Sequence, residues 1–310
     1  MPPVKVVVVG SANMDLIGLC PHLPAPGETV LGTGFEMACG GKGANQAVAC
    51  ARLGAVTFFV CRLGKDSFGD LLEENLRKEG IRTDAVVRDS EMPSGVALIF
   101  VDSKGQNQIL VAPGSNGRLS PSDWQGKEEV WKGADALLLQ LEIPVETVAA
   151  ALHRAREEGA LTVLNAAPFR PLPQHIWSQV SVCVVNEKEA EAFTGVPVAE
   201  PNDAVTAGQW FLARGTDAVV VTLGEKGSVL VLKDSYTVFP AFAVNAVDAT
   251  AAGDAFCGAL TVRLAEKAPL TDALPFANAA GALACTRLGA QPSLPTRQEV
   301  ETFLKERTAS

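Results

Sequence analysis

A stretch of small residues near the carboxyl end of the chain carries the strongest signal for chemistry. Residues 248–254 read Asp-Ala-Thr-Ala-Ala-Gly-Asp and lead directly into a helical pattern over 252–266. Unpaired N–H groups in the first turn of a helix can bind a phosphoryl group, and small residues let it approach. A carboxylate at Asp254 could take the proton from an attacking hydroxyl. The alternative is an aspartate that merely caps an alanine-rich helix.

A second stretch, residues 40–45, reads Gly-Gly-Lys-Gly-Ala-Asn at a loop-to-helix junction. The glycines allow a ligand to approach the backbone closely, and Lys42 and Asn45 could bond its hydroxyls. The alternative is a flexible turn with a solvated lysine. The spacing does not fit the P-loop pattern of nucleotide-binding proteins.

Polar residues also follow several predicted strands. Asn186 and Glu189 lie three apart at a strand-to-helix junction, where an amide and a carboxylate could organise Mg²⁺ through its waters. The same spacing is that of a helix capping box, and both interpretations can hold together. Residues 222–227 form a glycine-containing loop, and Asn13 and Asp15 follow the first strand. In open α/β sheets, ligands bind outside the carboxyl ends of the strands.

The elements that must position these residues alternate between strands and helices. Buried strands are predicted at residues 4–9, 56–62, 136–139, 161–164, 182–185 and 218–222, with an antiparallel edge at 227–232 and 237–239. Helices are predicted at residues 44–53, 67–79, 121–132, 146–158, 187–194, 203–214, 252–266 and 271–287. This alternation predicts an α/β fold with a doubly wound, mainly parallel central sheet and helices on both faces. Shorter strands within about 14–40 and 95–111 predict a separate small β-sheet that acts as a lid.

Composition limits the class of protein. The chain has 310 residues, enough for one large α/β domain with a small appendage or for two modest domains, and its net charge of −9 argues against nucleic acid as a partner. Its seven cysteines are scattered without a Cys-x-x-Cys pair, as expected for reduced thiols. No signal peptide and no apolar stretch of about 20 residues is present, so no membrane partner is expected. The expected location is the cytosol, with access to the nucleus left open.

Two familiar catalytic patterns are missing from the sequence. No serine-centred Gly-x-Ser-x-Gly occurs, and residues 10–12 do not fit the dinucleotide-binding Gly-x-Gly-x-x-Gly. These absences weaken a hydrolase and a dehydrogenase interpretation.

In this order, the segments resemble the ribokinase family, the phosphofructokinase-B type of carbohydrate kinase, over nearly the whole chain. The resemblance is carried by residues 40–46, 140–142, 165–168, 248–254 and 289–293, which read GGKGANQ, QLE, NAAP, DATAAGD and GAQPS. It implies a single domain over 1–310 and a phosphotransferase that moves the γ-phosphoryl group of ATP to O5 of D-ribose, giving ribose 5-phosphate.

The resemblance also implies roles for individual residues. Asp254 would be the general base, beside an anion hole of backbone N–H groups from Ala251, Ala252 and Gly253. The sugar would be bound by Asn13, Asp15, Gly41, Lys42, Gly43, Asn45, Glu142 and Asp254. The nucleotide would lie against Asn186, Thr222, Leu223, Gly224, Glu225, Lys226, Gly227, Gly253 and Asn278, with Mg²⁺ bound through water by Asn186 and Glu189.

An activating K⁺ is implied by the resemblance as well, at Asp248, Thr250, Ala284, Arg287, Gly289 and Ser293. The lid is expected to make a homodimer contact. One departure is visible, because residues 249–252 read Ala-Thr-Ala-Ala where many relatives have Thr-Thr-Gly-Ala. Ala251 therefore gives up backbone freedom and keeps its N–H group.

Other functions stay open at this point. Fructokinases, adenosine kinases and ketodeoxygluconate kinases share the glycines and the Asp254 motif, although the polar set above favours a small pentose over a nucleoside. A sugar-binding relative without catalysis would be expected to lack Asp254 or its small-residue surroundings, and both are intact.

Overall fold

The structure is a computed structural model that describes residues 2–308, and these residues form thirteen strands. The strands are β1 Lys5–Val9, β2 Asn13–Leu19, β3 Gly34–Gly40, β4 Val56–Gly64, β5 Val86–Asp89, β6 Gly95–Val101, β7 Asn107–Ala112, β8 Ala136–Leu139, β9 Leu161–Asn165, β10 Val182–Asn186, β11 Ala218–Thr222, β12 Ser228–Leu232 and β13 Ser235–Phe239. Nine of them build a large sheet in the order β13-β12-β11-β10-β9-β8-β1-β4-β5. All neighbours are parallel except β11–β12 and β12–β13.

The central strands of the large sheet are buried on both faces. Val6–Val9 in β1 and Ala136–Leu139 in β8 are fully buried, as their continuous apolar sequences predict. Successive residues contribute to opposite cores, because side chains alternate along a strand. Val6 and Val8 belong to one core, and Val7 and Val9 belong to the other.

Ten α-helices in the described part of the chain cover these two faces. They are α1 Lys42–Arg52, α2 Ser67–Lys78, α3 Glu128–Trp131, α4 Val145–Glu157, α5 Gln174–Trp177, α6 Glu187–Thr194, α7 Pro201–Leu212, α8 Ala252–Ala265, α9 Leu270–Ala284 and α10 Arg297–Thr308. Helices α1, α2, α8, α9 and α10 pack into the first core, and α3 to α7 into the second. The doubly wound arrangement is confirmed. None of the helices within residues 2–308 is long and apolar enough to cross a membrane.

A separate small sheet is formed by β3-β2-β6-β7, in that order. The β2–β6 pair is parallel, and the other two pairs are antiparallel. Its strands lie where the lid strands were predicted. One face leaves large apolar side chains in solvent, with Phe35 64% and Leu110 60% exposed.

Three details of the expected fold need correction. A continuous helix over 121–132 is wrong, because a 3₁₀ turn at Pro121–Trp124 and α3 are separated at Gly126, whose φ is +74°. Strand β5 and helices α5 and α10 were not predicted. Residues 1, 309 and 310 of the expected 1–310 domain lie outside the described residues.

Candidate active site

The predicted base Asp254 and part of the predicted nucleotide site meet at the carboxyl edge of the large sheet. A cavity of about 200 Å³ opens there, between the starts of α1 and α8 and the ends of β9, β10 and β11. Its lining includes seven of the predicted residues, Lys42, Asn186, Glu189, Thr222, Ala251, Gly253 and Asp254. These residues come together because β9, β10 and β11 are neighbours in the sheet and ligands of open α/β sheets bind outside the carboxyl ends of the strands.

Asp254 is buried in the first turn of α8, with 6% of its surface exposed. Asn45 donates a hydrogen bond of 3.0 Å to Oδ2, and Gln46 donates one of 2.9 Å to Oδ1. Burial raises the pKa of Asp254, whereas Lys42 and the two amides oppose the rise and leave it above the ordinary value. A raised pKa makes the ionised carboxylate a stronger base.

The start of α8 has the features of an anion site. Ala251 adopts the left-handed conformation, with φ 59°, directly before the helix. The Ala252 N–H donates to the Ala249 carbonyl at 3.2 Å, so the prediction that it contributes to the anion hole needs correction. The N–H groups of Gly253 and Asp254 have no acceptor among residues 2–308. A Cβ atom added to Gly253 would meet no protein atom within 4 Å. The space beside Gly253, which lines the cavity, is therefore open to a ligand.

The glycine-rich stretch packs backbone against backbone. Gly41 has φ +89°, and a Cβ there would lie 2.7 Å from the Asn13 nitrogen. A Cβ at Gly43 would lie 2.5 Å from the Ser11 nitrogen. These glycines seat the start of α1 on the turn between β1 and β2, a role that the sequence did not reveal.

Carboxylates surround Lys42 on the side towards the small sheet. Glu142 accepts hydrogen bonds from Ser11 Oγ at 2.5 Å and from the Lys42 backbone N–H at 3.1 Å. Burial, helped by the charges of Glu142 and Asp254, raises the pKa of Asp15 to about 7. Burial alone would lower the pKa of Lys42, but the charges of Asp254 and the surrounding carboxylates hold it above its ordinary value.

Two further residues of this region connect to the turn after β1. Asn13 Oδ1 accepts a hydrogen bond of 2.8 Å from Asn116 Nδ2, and Asn116 also bonds the backbone of Ala12. Sequence reasoning missed Ser11 and Asn116. Ser11 could have been found from its position between β1 and Asn13, whereas nothing local marks Asn116. Asp15 has no hydrogen-bond partner among the described residues, which leaves its carboxylate available to a ligand.

On the nucleotide side, the predicted capping box is confirmed. Asn186 Oδ1 accepts from the Glu189 N–H at 2.8 Å, and Glu189 Oε2 accepts from the Asn186 N–H at 2.9 Å. Burial raises the pKa of Glu189, and the Asn186 N–H and Lys42 oppose this shift. Glu189 Oε1 has no partner among residues 2–308, so a carboxylate oxygen at the cavity fits a hydrated Mg²⁺.

Some predicted nucleotide residues lie away from this cavity. Residues 223–227 form a 3₁₀ turn and its flanks, where Lys226 Nζ is 2.6 Å from Glu200 Oε1. The Asn278 side chain accepts from Ser228 Oγ at 3.1 Å and donates to the carbonyls of Phe239 and Pro240. In this structure Asn278 therefore anchors the segment after β13.

The predicted K⁺ residues come from two loops that the structure joins. Asp248 Oδ1 accepts from the N–H and hydroxyl of Thr250, and Oδ2 accepts from the Gly289 N–H at 2.9 Å. Burial acts to raise the pKa of Asp248, and these bonds outweigh it and lower the pKa. The Asp248 N–H bonds the Cys285 carbonyl, just beyond Ala284 at the end of α9.

Two more of the K⁺ residues have side chains engaged elsewhere. Ser293 Oγ donates to the Ala290 carbonyl, and the Arg287 guanidinium pairs with Glu299. Within residues 2–308 no group of three His, Cys, Asp or Glu could hold a metal. One ionised carboxylate beside loop carbonyls suits a weakly bound monovalent cation.

Comparison with known proteins places this site in a family. Residues 4–297 match the family model described as pfkB family carbohydrate kinase. The chain belongs to this family. It is 40% identical to a ribokinase of Haemophilus influenzae over 298 residues, which cover 96% of this chain and 97% of that one. It is also 36% identical over 300 residues to a deoxyribokinase of Salmonella typhi, covering 96% and 98% of the two chains.

A solved structure of the Arabidopsis thaliana ribokinase, complexed with ribose and ATP, has the same fold. It superposes with a TM-score of 0.90 at 33% identity and covers 98% of this chain and 99% of its own. The family, the α/β architecture and kinase activity are thereby established for the chain.

Proposed function

We propose that the chain transfers the γ-phosphoryl group of ATP to O5 of D-ribose, giving ribose 5-phosphate and ADP. The carrying observation is the buried Asp254, at a helix start with two free N–H groups, in one cavity with Lys42 and Glu189. The ribokinase of Haemophilus influenzae and the ribose-bound structure from Arabidopsis thaliana support ribose as the acceptor.

In the proposed reaction, Asp254 accepts the proton of the sugar hydroxymethyl group. The oxygen then forms a bond to the γ-phosphorus, and the bond from that phosphorus to the bridging oxygen breaks, leaving its electron pair on ADP. The N–H groups of Ala251 and Gly253, joined by that of Asp254, stabilise the charge on the transferred group, and Ala252 keeps the turn small. The proton passes from Asp254 to solvent as the product leaves.

The sugar is proposed to lie between the start of α1 and the small sheet. Its hydroxyls would bond the polar groups gathered there, namely Asn13, Asp15, Lys42, Asn45 and Glu142, beside the backbone of Gly41 and Gly43. A buried polar group left without its hydroxyl is costly, so this set should select against sugars that lack one.

The nucleotide is proposed to extend from α8 over the ends of β10 and β11, towards residues 222–227 and Asn278. Asn186 and Glu189 would hold Mg²⁺ through water, and bound Mg²⁺ would neutralise charge on the phosphates. K⁺ is proposed at Asp248, Thr250 and the loop carbonyls of Ala284, Arg287, Gly289 and Ser293. Bound K⁺ would order the loop that precedes the free N–H groups of α8.

The chain is further proposed to act as one domain, with the small sheet as a lid that excludes water. The register places Phe35, Met37, Leu98, Phe100 and Leu110 on one face of that sheet. An exposed face with five large apolar side chains fits a homodimer contact. The seven free thiols fit a cytosolic protein, and no nucleic-acid or membrane partner is proposed.

The test is coupled ADP release with Mg·ATP and K⁺, using D-ribose, 2-deoxyribose, fructose and adenosine as acceptors. A reaction without acceptor measures ATP hydrolysis, and the Asp254→Asn variant controls for contaminating kinases. We expect D-ribose to give the highest kcat/KM. Preference for 2-deoxyribose, the acceptor suggested by the Salmonella typhi relative, would contradict the proposed contacts to the ribose hydroxyls. No turnover with any sugar would refute the proposal.

A further inference from the structure

A chain of buried amides reaches the catalytic carboxylate, and one of its members, Asn165, lines the cavity. Gln140 Nε2 donates to Gln46 Oε1 at 2.5 Å. Gln46 Nε2 uses its two hydrogens for Asp254 Oδ1 at 2.9 Å and for Asn165 Oδ1 at 3.0 Å. Gln46 and Gln140 are fully buried, and Asn165 is 7% exposed. The four side chains come from α1, the segment after β8, the end of β9 and α8.

The direction of this chain is fixed by chemistry at both ends. An ionised Asp254 can only accept, so the amide NH₂ of Gln46 must face it. Asn165 Nδ2 donates to the Val184 carbonyl, which also can only accept, so its Oδ1 must face Gln46. If the Gln46 amide were reversed, its oxygen would face the oxygens of Asp254 and Asn165, and its NH₂ group would face the NH₂ group of Gln140. The links to Asp254 and Asn165 therefore favour one orientation of Gln46, and that orientation suits the ionised carboxylate. Gln140 donates to Gln46 in this orientation, and its own Oε1 has no partner among the described residues.

Other parts of the structure hold the chain in place. A Cβ atom at Gly10 would lie 2.0 Å from Gln140 Oε1, so only glycine leaves room for this amide after β1. Gln46 occupies the second turn of α1, next to Asn45, which donates to the other oxygen of Asp254. Both carboxylate oxygens thus receive one N–H donor from the same helix, which fixes the plane of the carboxylate.

We propose that Gln46, oriented by Gln140 and Asn165, is a positioning residue that keeps Asp254 ionised and aims its free lone pair at the sugar hydroxyl. The inference deepens the proposed function and rests on it, because it concerns the base of that reaction. Gln46 itself is fully buried and is not among the residues that line the cavity. Its effect on the reaction passes through Asp254.

The groups that face Asp254 from the surrounding elements set the background for a pH test. They are Lys42 from α1, Asp15 from β2, Glu142 after β8, Glu189 from α6 and Cys257 from α8. Changing an uncharged glutamine leaves all of them in place. Because the amide of Gln46 stabilises the charged form, its removal should raise the pKa of Asp254.

The variants are Gln46→Met, which keeps the shape and removes both donors, and Gln140→Met, which removes the donor behind Gln46. At pH values on the acid limb of the kcat–pH profile, Gln46→Met should lower kcat about tenfold, with KM for D-ribose changed less than about threefold. The acid limb of the kcat–pH profile should move up by about one pH unit, as expected for a hydrogen bond to an ionised group. Gln140→Met should move it in the same direction by less.

Thr162→Val is the matched control, because Thr162 is fully buried and its hydroxyl bonds the Gln179 carbonyl at 2.7 Å. It lies at the far end of β9, about 10 Å along the strand from Asn165. This variant should lower Tm without moving the pH profile. If Gln46→Met fails to fold, Gln140→Met carries the same test.

Infrared titration reads the same quantity without turnover. The carboxylate band that disappears in Asp254→Asn should titrate at a higher pH in Gln46→Met than in the unaltered protein. An unmoved band, or a kcat loss that is equal at every pH, would overturn the inference while an active unaltered protein upholds the proposed function. An unaltered protein that phosphorylates no acceptor would refute the proposed function, and the inference would fall with it.

Discussion

The two sheets of this molecule differ in how deeply their strands are buried. Strands β1 and β8 of the large sheet are fully buried except for Lys5, whereas all six residues of β7 in the small sheet are exposed. Few buried contacts mean a low free energy of local opening. The large sheet therefore suits the fixed geometry of the base and phosphoryl site, and the small sheet suits a part that closes over a sugar.

The boundary between these regions runs through the turn that joins β1 to β2. Asp254, Gln46 and Gln140 are held by the large sheet and its helices, and Asp15 extends from the small sheet. Substitutions on the large-sheet side should then mainly change kcat, and substitutions on the small-sheet side should mainly change KM for the sugar. The following changes test that division.

The largest effect is expected at the rigid side, from Asp254→Asn. Loss of the base should lower kcat by a factor on the order of 10³ while D-ribose binding stays within about threefold. The free energy of unfolding should not fall, because the variant no longer buries a charge. Turnover assays and calorimetric titration of D-ribose measure both. Turnover near that of the unaltered protein would remove Asp254 from the mechanism.

Asp15→Asn, in the small sheet, should mainly change sugar binding, raising KM for D-ribose about 10- to 100-fold as expected for a hydrogen bond to a charged group. In the unaltered protein, KM should rise as pH falls through about 7, the pKa of Asp15, because the carboxylate then loses its acceptor capacity. The variant should lose this pH dependence. A KM that is unchanged at pH 8 would show that the sugar lies elsewhere.

The pH dependence of thermal stability gives an independent test of the raised pKa of Asp15. Its folded pKa of about 7 lies above the ordinary value of 3.8 for an aspartate, so the folded state binds more protons between these values. Stability should therefore fall as pH rises from about 4 to 7, and Asp15→Asn should remove that loss. We expect the variant to have the higher Tm at pH 8 and nearly equal Tm at pH 4. A lower Tm at pH 8 would contradict the burial of this charge.

Exposed apolar residues offer a test of the small sheet as a dimer contact. We expect the unaltered protein to be a dimer by light scattering and the double variant Phe35→Lys with Leu110→Lys to be a monomer. Tyr236→Lys is the control, since Tyr236 is 52% exposed on the edge strand β13 of the large sheet. A dimer that survives the double variant would exclude this face.

A smaller effect is expected from the monovalent cation. Replacing K⁺ by Na⁺ at constant ionic strength should lower kcat several-fold, because the loop at Asp248 would lose an ordering contact. Asp248→Asn should lower the activity in K⁺ to the level in Na⁺. Equal rates of the unaltered protein in both salts would reject the K⁺ site.

The smallest effect concerns the left-handed backbone at Ala251. Ala251→Gly and the matched Lys267→Gly, at φ 66°, should each raise the free energy of unfolding by roughly 0.5–1 kcal/mol. Only Ala251→Gly should also change kcat, because Lys267 lies at the opposite end of α8. Chemical denaturation measures the first effect. Equal changes of kcat in both variants would show that the backbone conformation at Ala251 has no specific role in catalysis.

The sequence predicted the large sheet well because its strands are uninterrupted apolar runs, such as Val6–Val9, bounded by glycine or polar residues. It failed where tertiary contacts decide. The helical pattern over 121–132 is broken at Gly126, and the polar pattern of α10 gives little sign of the face that buries Val300 and Phe303.

The candidate site divides in the same way. The family resemblance implied that Lys42, Glu189 and Asp254 belong to one site, and the structure brings them to the lining of one cavity. The role of Gln46 could not be read, since glutamine is an ordinary residue of helix interiors and its partners are 94 to 208 positions away along the chain. Asn278 was placed at the nucleotide, but its side chain bonds Ser228 and two backbone carbonyls.

The position of phosphorylation tests the central claim most directly. Phosphorus–proton correlation NMR of the product made from D-ribose and ATP would identify the carbon that bears the new phosphoryl group. The account predicts coupling from phosphorus to the two protons on C5. Coupling to the proton on C1, or ADP release without any sugar phosphate, would contradict it.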